Sequence, residues 1–567
     1  MLEVKNLSIA FKTSSGLRQA VRNMSFTIQP GEILGLVGES GSGKTITSLG
    51  VIGLLPPNAV VTGGEVLVDG IDLLKLSPPE LRKLRGRHIA MIFQDPMASL
   101  DPIFTCGAQI VEAILLHEKI GEVAARDKAR SLLEQVRISD PERTMRSYPH
   151  ELSGGQCQRV MIAMAVACKP HIIIADEPTT ALDVTVQKQV LDLLASLNAE
   201  VGAAILLITH DLGVIYEVAH RLVVMYGGEK VEEAATRELF AHPKSDYARA
   251  LIDSMPALGR KHGRLPVIER DAVGNVRSVR PEARVRSAEA GAIPDNANGV
   301  PLLELKDLCK TYWIKPLFSA GAELRAVDNV SFAIAPRTTL GLVGESGCGK
   351  TTLSRVVLRL SAPTSGQILF KGQDIARLSE GAMKPFRREI AIVFQNPYGS
   401  LNPRQNVAEL ISAPMIVARV GNSAEQSARV NYLLDAVGLP KAAADRYPHE
   451  FSGGQRQRIA VARALALQPS LVICDEAVSA LDVSVQAQVL NLLKDLQVEF
   501  DLTYLFISHD LSVVEHVSDT VAVMQKGRIV EYGPAADIFA SPKDAYTRML
   551  LDAVPTIRTE RAGGKAR

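Results

Sequence analysis

Hydrophobic and polar positions alternate along MLEVKNLSIAF (1–11) and VRNMSFTIQPGE (21–32). A period of two predicts early antiparallel strands with one buried face. EILGLVG (32–38) is a short apolar run entering a glycine-rich turn, and KTITSLGVIGLL (44–55) reads as the helix that leaves it. SLLEQVRI (131–138) and the stretch 156–168 carry a helical pattern. HIIIAD (171–176) and AAILLIT (203–209) are continuous apolar runs bounded by polar turns, as expected of strands buried on both faces of a parallel sheet. Strand, loop, helix and later buried strands together predict an α/β core.

The pattern is written twice. GESGSGKT (38–45) returns as GESGCGKT (344–351), and FQDPMASLDP (93–102) as FQNPYGSLNP (394–403). YPHELSGGQCQR (148–159) returns as YPHEFSGGQRQR (447–458), and ADEPTTALDVTVQ (175–187) as CDEAVSALDVSVQ (474–486). A period of about 300 residues is far too long for a solenoid repeat and marks a duplicated domain. The expected division is a first domain over 1–255, a second over 301–556 and a tail over 557–567. Between the domains, 256–300 loses apolar periodicity and gains Arg, Pro, Gly and Asn. It reads as an extended, solvated linker.

Composition narrows the classes. The 567 residues are 47% hydrophobic with a formal net charge of +1, which offers no overall electrostatic footprint for nucleic acid. Six cysteines stand singly at 106, 157, 168, 309, 348 and 474, fitting a reducing compartment rather than a disulfide framework or zinc site. The N-terminus lacks a basic segment followed by an apolar core, so no signal peptide is expected. SLGVIGLLPPNAVV is broken by Pro56 and Pro57 and falls short of the ~18–20 residues needed to span a bilayer. The expectation is a soluble, cytosolic chain.

The motifs supply the chemistry. G-x-x-x-x-G-K-[ST] between a strand and a helix is a phosphate loop, because bare glycine N–H groups and a helix N-terminus both favour anions. Its residues are Gly38, Glu39, Ser40, Gly41, Ser42, Gly43, Lys44 and Thr45 in one copy. The other copy has Gly344, Glu345, Ser346, Gly347, Cys348, Gly349, Lys350 and Thr351. Lys44 and Lys350 are expected to neutralise terminal phosphates, and the hydroxyls of Thr45 and Thr351 to ligate Mg²⁺. HIIIADEP and LVICDEA present two acids at the tip of an apolar strand, which is costly unless they serve a cation or a reaction. Asp176 and Asp475 fit Mg²⁺ through water, and Glu177 and Glu476 fit as polarisers of attacking water. A turn cap is the plainer alternative for each acidic pair. His210 and His509 end later apolar strands, where they either contact the terminal phosphate or are structural. Gln94 and Gln395 follow RHIAMIF and REIAIVF, placed near Mg²⁺ and water or else on the surface. Ser153, Gly154, Gly155 and Gln156 precede a helical run, as do Ser452, Gly453, Gly454 and Gln455. This is a second possible anion site in each half, or a helix cap.

Together, the phosphate loop, FQ, LSGGQ, the apolar strand ending in DE, the ALD turn and the His resemble the motif set of ABC-transporter ATPases. The resemblance covers about 1–255 and 301–555. It implies two tandem nucleotide-binding domains, each with a mainly parallel core sheet, an antiparallel β subdomain and a helical subdomain, binding ATP with Mg²⁺. In that family the domains pack head to tail. One ATP would then lie between Lys44, Thr45, Gln94, Asp176, Glu177, His210 and residues Ser452 to Gln455. The other would join Lys350, Thr351, Gln395, Asp475, Glu476 and His509 to Ser153 to Gln156. Asp183 and Asp482 match the D-loop that couples such sites. Phe11 and Tyr312 are the aromatics expected against adenine, with strand core the other reading of Phe11. Phe451, Cys157 and Ala477 depart from the usual Leu, Arg and Pro without removing a catalytic group.

FQDPMASLDP, YPHELSGGQ, ALDVTVQ and the later LFAHPKSDYARALIDSMP and IFASPKDAYTRMLLDAVP further resemble the importer ATPases for dipeptides, oligopeptides, glutathione and nickel. The cysteine cluster of many such relatives is missing, so no iron–sulfur cluster is expected. The resemblance implies two transmembrane permease subunits, a periplasmic or extracellular solute-binding protein, and a peripheral place on the cytoplasmic face of the inner membrane. Two other functions are a soluble tandem ATPase acting on ribosomes or DNA and a nucleotide-binding scaffold without turnover. The linker and charge weigh against the first alternative, and both intact glutamates against the second.

Overall fold

The computed structural model describes residues 1–14, 16–179, 182–256, 258, 263–270, 276–281, 299–314, 322–394, 397–479 and 481–555. The first half contains strands β1 (Leu2–Thr13), β2 (Gly16–Ile28), β3 (Ile33–Val37), β4 (Ala59–Val68), β5 (Ile71–Asp72), β6 (Ile89–Ile92), β7 (Ile172–Asp176), β8 (Ala204–Ile208), β9 (Arg221–Tyr226) and β10 (Glu229–Ala235). They form two sheets. One is antiparallel with order β2-β1-β4-β5, and the other has order β10-β9-β3-β8-β7-β6. In the second, β3 and β6 to β9 run parallel and β10 joins β9 antiparallel.

The apolar runs explain why the parallel strands lie in the middle. Leu34, Leu36, Ile172, Ile174, Leu206 and Ile208 face a core shared with Leu2, Val4 and Phe26 of the antiparallel sheet. The alternate residues Ile33, Val37, Ile173, Ala175, Ile205 and Leu207 face the opposite core. With no polar face left, these strands must be covered on both sides. Helices Cys106–His117 and Glu122–Gln135 and the helix Gly154–Val166 cover the second face, and their buried residues join that core.

The second half repeats the plan after a hairpin, β11 (Val267–Arg270) and β12 (Val276–Val279). Its strands are β13 (Leu303–Ile314), β14 (Ala322–Ile334), β15 (Thr339–Val343), β16 (Ser365–Phe370), β17 (Gln373–Asp374), β18 (Ile390–Val393), β19 (Leu471–Asp475), β20 (Thr503–Ile507), β21 (Thr520–Gln525) and β22 (Arg528–Pro534). The sheet orders are β14-β13-β16-β17 and β18-β19-β20-β15-β21-β22, the same as in the first half. Among the described residues no helix is long and apolar enough to cross a membrane.

Over the described residues 263–270 and 276–281, the hairpin departs from the solvated linker expected for 256–300. Leu265, Val267, Ile268 and Val276 are buried. Leu265 donates its N–H to Asn491 Oδ1 at 3.0 Å, and Asn491 Nδ2 donates to Leu265 O at 2.8 Å. Arg264 pairs with Asp495 on the same helix, Val483–Glu499. The segment is a strap between the halves: Leu265 and Val267 join the core of the second half, and Ile268 and Val276 that of the first. Residues 259–262, 271–275 and 282–298, and the expected tail at 557–567, lie outside the described residues.

Candidate functional site

Two loops with the same backbone open the helices Lys44–Ile52 and Lys350–Val357. Gly38 has φ 155°, and a Cβ there would stand 2.1 Å from Met225 O. Gly344 has φ 153° and the same clearance, 2.1 Å, from Met524 O. Only glycine fits either place. Lys44 Nζ donates to Gly38 O at 2.7 Å and Glu39 O at 3.0 Å, and Lys350 Nζ to Gly344 O at 2.6 Å and Glu345 O at 2.9 Å. Burial pulls the Lys44 pKa down against the charges of Glu177, Asp482, Asp176 and Glu39. Ser42 Oγ is buried with no hydrogen-bond partner among the described residues. Cys348 takes that place in the second loop, receives a contact from Lys350 Nζ at 3.8 Å, and has its thiol pKa raised by burial. A desolvated ammonium within a ring of backbone N–H groups suits a polyanion.

The acids arrive at the C-terminal tips of β7 and β19. Thr45 Oγ1 donates to Asp176 Oδ1 at 3.4 Å, and Ser48 Oγ lies 3.5 Å from Asp176 Oδ2. Ser354 Oγ donates to Asp475 Oδ2 at 3.1 Å. Burial, helped by the charge of Glu177, pushes the Asp176 carboxyl up to about 6, and burial raises that of Asp475. A buried carboxylate among hydroxyls is a donor set for a hard divalent cation. The next residues, Glu177 and Glu476, sit at φ 49° and 50°, a conformation that costs energy for a residue with a Cβ. Their N–H groups are tied to Ile208 O at 2.8 Å and Ile507 O at 2.9 Å.

Gln94 Nε2 donates to Glu177 Oε2 at 2.8 Å, and His210 Nδ1 lies 3.4 Å from the same oxygen. His509 Nδ1 lies 3.6 Å from Glu476 Oε2. Burial opposes the charge on both imidazoles, but the hydrogen bond and charge of the neighbouring glutamate win, and both pKa values rise. The structure thus brings Lys44, Thr45, Gln94, Asp176, Glu177 and His210 into one cluster. It does the same for Lys350, Asp475, Glu476 and His509, with Thr351 opening the second helix. Gln395 lies outside the described residues.

Ser153 and Ser452 are helix N-caps. Gln156 N donates to Ser153 Oγ and Gln455 N to Ser452 Oγ, each at 3.3 Å, and both glutamines return the bond to the serine N–H. The first glycine of each pair has open space around it. Cys157, in place of Arg, contacts Pro149 O through Sγ at 3.3 Å, where Arg456 Nε donates to Pro448 O at 2.6 Å. Phe451 packs under Arg446 at 4.6 Å, and Ala477 is buried. Phe11 is half-buried against the first core. Tyr312 is exposed, with Lys310 Nζ 4.9 Å above its ring.

The halves meet reciprocally. Asp482 Oδ2 accepts from Ser40 N at 3.2 Å, and Asp183 Oδ2 accepts from Ser346 N at 3.1 Å. Thr185 Oγ1 donates to Glu345 Oε1 at 2.9 Å across the same junction. Val483 enters the core of the first half. A cavity of about 130 Å³ between the halves is lined by His210, Asp211, His509 and Asp510. Ser48, Ser354 and Thr185 were not singled out by sequence reasoning. Neither were Tyr247 and Tyr546, whose hydroxyls accept from Glu39 N and Glu345 N at 3.0 and 3.1 Å. Their signal was present: each tyrosine closes a repeated segment, HPKSDY for Tyr247 and SPKDAY for Tyr546.

Residues 21–180 and 327–479 match the ABC transporter family, and 231–278 and 530–567 match the oligopeptide/dipeptide transporter C-terminal region. The chain is 46% identical to the glutathione import ATP-binding protein GsiA of Pectobacterium atrosepticum, over 98% of this chain and 89% of that one. It is also 46% identical to GsiA of Escherichia coli O157:H7, over 99% and 90%. A dimeric post-hydrolysis structure of the ATP-binding cassette MJ0796, bound to ADP and Pi, aligns at 28% identity and TM-score 0.37, covering 41% of this chain and 98% of that one. The chain belongs to the ABC transporter family and carries its ATP-binding, ATP-hydrolysing domain twice.

Proposed function

We propose that this chain powers import of a peptide or a glutathione-like solute, hydrolysing ATP at two sites that each draw on both halves. The reciprocal bonds of Asp482 to Ser40 and Asp183 to Ser346 carry this reading, because each glycine loop is already contacted by the opposite half. The substrate class follows from the GsiA relatives and the oligopeptide/dipeptide C-terminal region.

Lys44 and Lys350 exchange loop carbonyls for ATP phosphates. Thr45, Gln94 and Asp176 would hold Mg²⁺ in one site, and Thr351, Gln395 and Asp475 in the other. The ion supplies charge neutralisation at the phosphates. Glu177, oriented by Gln94 and His210, accepts hydrogen bonding from the attacking water, and Glu476 beside His509 does the same. Ser153 to Gln156 cover the ATP on Lys350, and Ser452 to Gln455 the ATP on Lys44. Phe11 and Tyr312 remain the aromatics proposed for adenine.

Two transmembrane permease subunits and an external solute-binding protein complete the machine, and the chain sits on the cytoplasmic face of the inner membrane. The stretches after Gln94 and Gln395 are the proposed permease contacts; Met97, Ile103 and Phe104 are exposed apolar residues in the first, more than a solvated turn requires. Affinity purification of the chain from detergent-solubilised membranes tests the assignment. Recovery of two permease subunits with it is expected; recovery with ribosomes or DNA instead would overturn it.

A further inference from the structure

The end of the parallel sheet opposite the glycine loops carries a cluster that ATP hydrolysis does not use. Asp69 occupies the tight turn between β4 and β5 at φ 49°. His88 and His171 immediately precede β6 and β7, neighbouring parallel strands. Ile172 N donates to His88 O at 3.0 Å, so the backbone fixes both histidines side by side. Their rings stand edge to face with centroids 5.2 Å apart, and His171 Nδ1 lies 3.1 Å from Asp69 Oδ2. One ligand atom from each of the three side chains lies within 4.8 Å of the other two.

The duplication provides an internal control. In the second half the matching positions are Lys371, Glu389 and Ser470, on the same turn and strand starts. Lys371 also has a left-handed backbone, φ 50°. There the trio closes on itself: Lys371 pairs with Glu389, and Ser470 Oγ donates to Glu389 Oε2 at 2.8 Å. One frame thus carries a self-neutralising ion pair in one half. In the other it carries two imidazoles and a carboxylate, a donor set for borderline divalent metals.

We propose that Asp69, His88 and His171 bind a borderline divalent transition-metal cation of the zinc class, clamping the β4–β5 turn of the antiparallel layer to the parallel core. Ligand atoms around a tetrahedral zinc are about 3.4 Å apart, so small rotations of exposed side chains close the site. Asp69 also accepts from the Met1 amino group at 2.7 Å, a bond through Oδ1 that leaves Oδ2 on the His171 side.

The full chain, stripped with chelator and held in millimolar Mg²⁺, is titrated with Zn²⁺ by calorimetry and with Co²⁺ by visible absorption. One equivalent is expected to bind, with a d–d spectrum of imidazole and oxygen donors and a rise in the unfolding midpoint. His171→Ala is expected to weaken binding roughly tenfold or more. The triple variant Asp69→Lys, His88→Glu, His171→Ser installs the trio that the other half already folds around, and is expected to lose both the binding and the midpoint shift. Binding of equal stoichiometry and affinity in that variant, or none in the wild-type chain at millimolar Zn²⁺, would overturn the proposal.

Discussion

Asp482 of the second half accepts a hydrogen bond from Ser40 N in the glycine loop of the first, at 3.2 Å. A carboxylate from one half thus contacts a backbone donor in the phosphate-binding loop of the other. Asp482 is also among the charges that keep the buried Lys44 protonated against its desolvation. Asp482→Asn removes that support, so the Lys44 pKa should fall further. Acylation of Lys44 followed by mass spectrometry across a pH series should reach half-labelling at lower pH in the variant. An unchanged midpoint would mean that the contact does not reach the first loop in solution.

Glu177 and Glu476 sit on strained backbone at the tips of buried strands, each beside a histidine. Such strain persists where the surroundings require it. Glu177→Gln together with Glu476→Gln should lower phosphate release by roughly 10²–10⁴-fold while ATP binding is retained. Fluorescent-nucleotide binding and steady-state hydrolysis measured on one preparation distinguish this from misfolding.

Asp176 supplies a pH dependence with a definite sign. Its pKa is raised to about 6 from 3.8, chiefly by burial and next by Glu177. A raised carboxylate pKa means that ionisation opposes folding, so the chain without a cation loses stability as pH rises from about 4 to about 6. Asp176→Asn should therefore unfold a few degrees higher than wild type at pH 7 without Mg²⁺, and should lose hydrolysis. Thermal unfolding of both proteins at pH 5 and pH 7 checks this: the gap should narrow at the lower pH.

The sequence made some of this legible for identifiable reasons. Leu34, Leu36 and Ile33 lie in an unbroken apolar run because both faces of β3 are covered, and a continuous run survives any register. Gly38 and Gly43 announced the loop because left-handed backbone admits few other residues. Gln94, Glu177 and His210 stand far apart in sequence, yet each ends a strand of one parallel sheet, and the sheet gathers its C-terminal ends at one edge. The strap at Leu265 was hidden because its partners, Asn491 and Asp495, lie over 200 residues away. VIER and VRSV are too short and arginine-rich to show a period of their own. Ser48 escaped notice because it lies one helical turn beyond Thr45, outside the motif, where only the fold turns it toward Asp176.

The central claim is that each SGGQ segment serves the ATP of the opposite half. Ser153→Arg places a long cation at one helix N-cap and leaves every other motif of both halves intact. Photolabelling with an azido-ATP, followed by cleavage within 256–300 to separate the halves, reads each site by itself. Label on the half containing Lys350 should fall while label on the half containing Lys44 is largely kept. Loss confined to the Lys44 half would contradict the account, because each SGGQ would then serve its own domain.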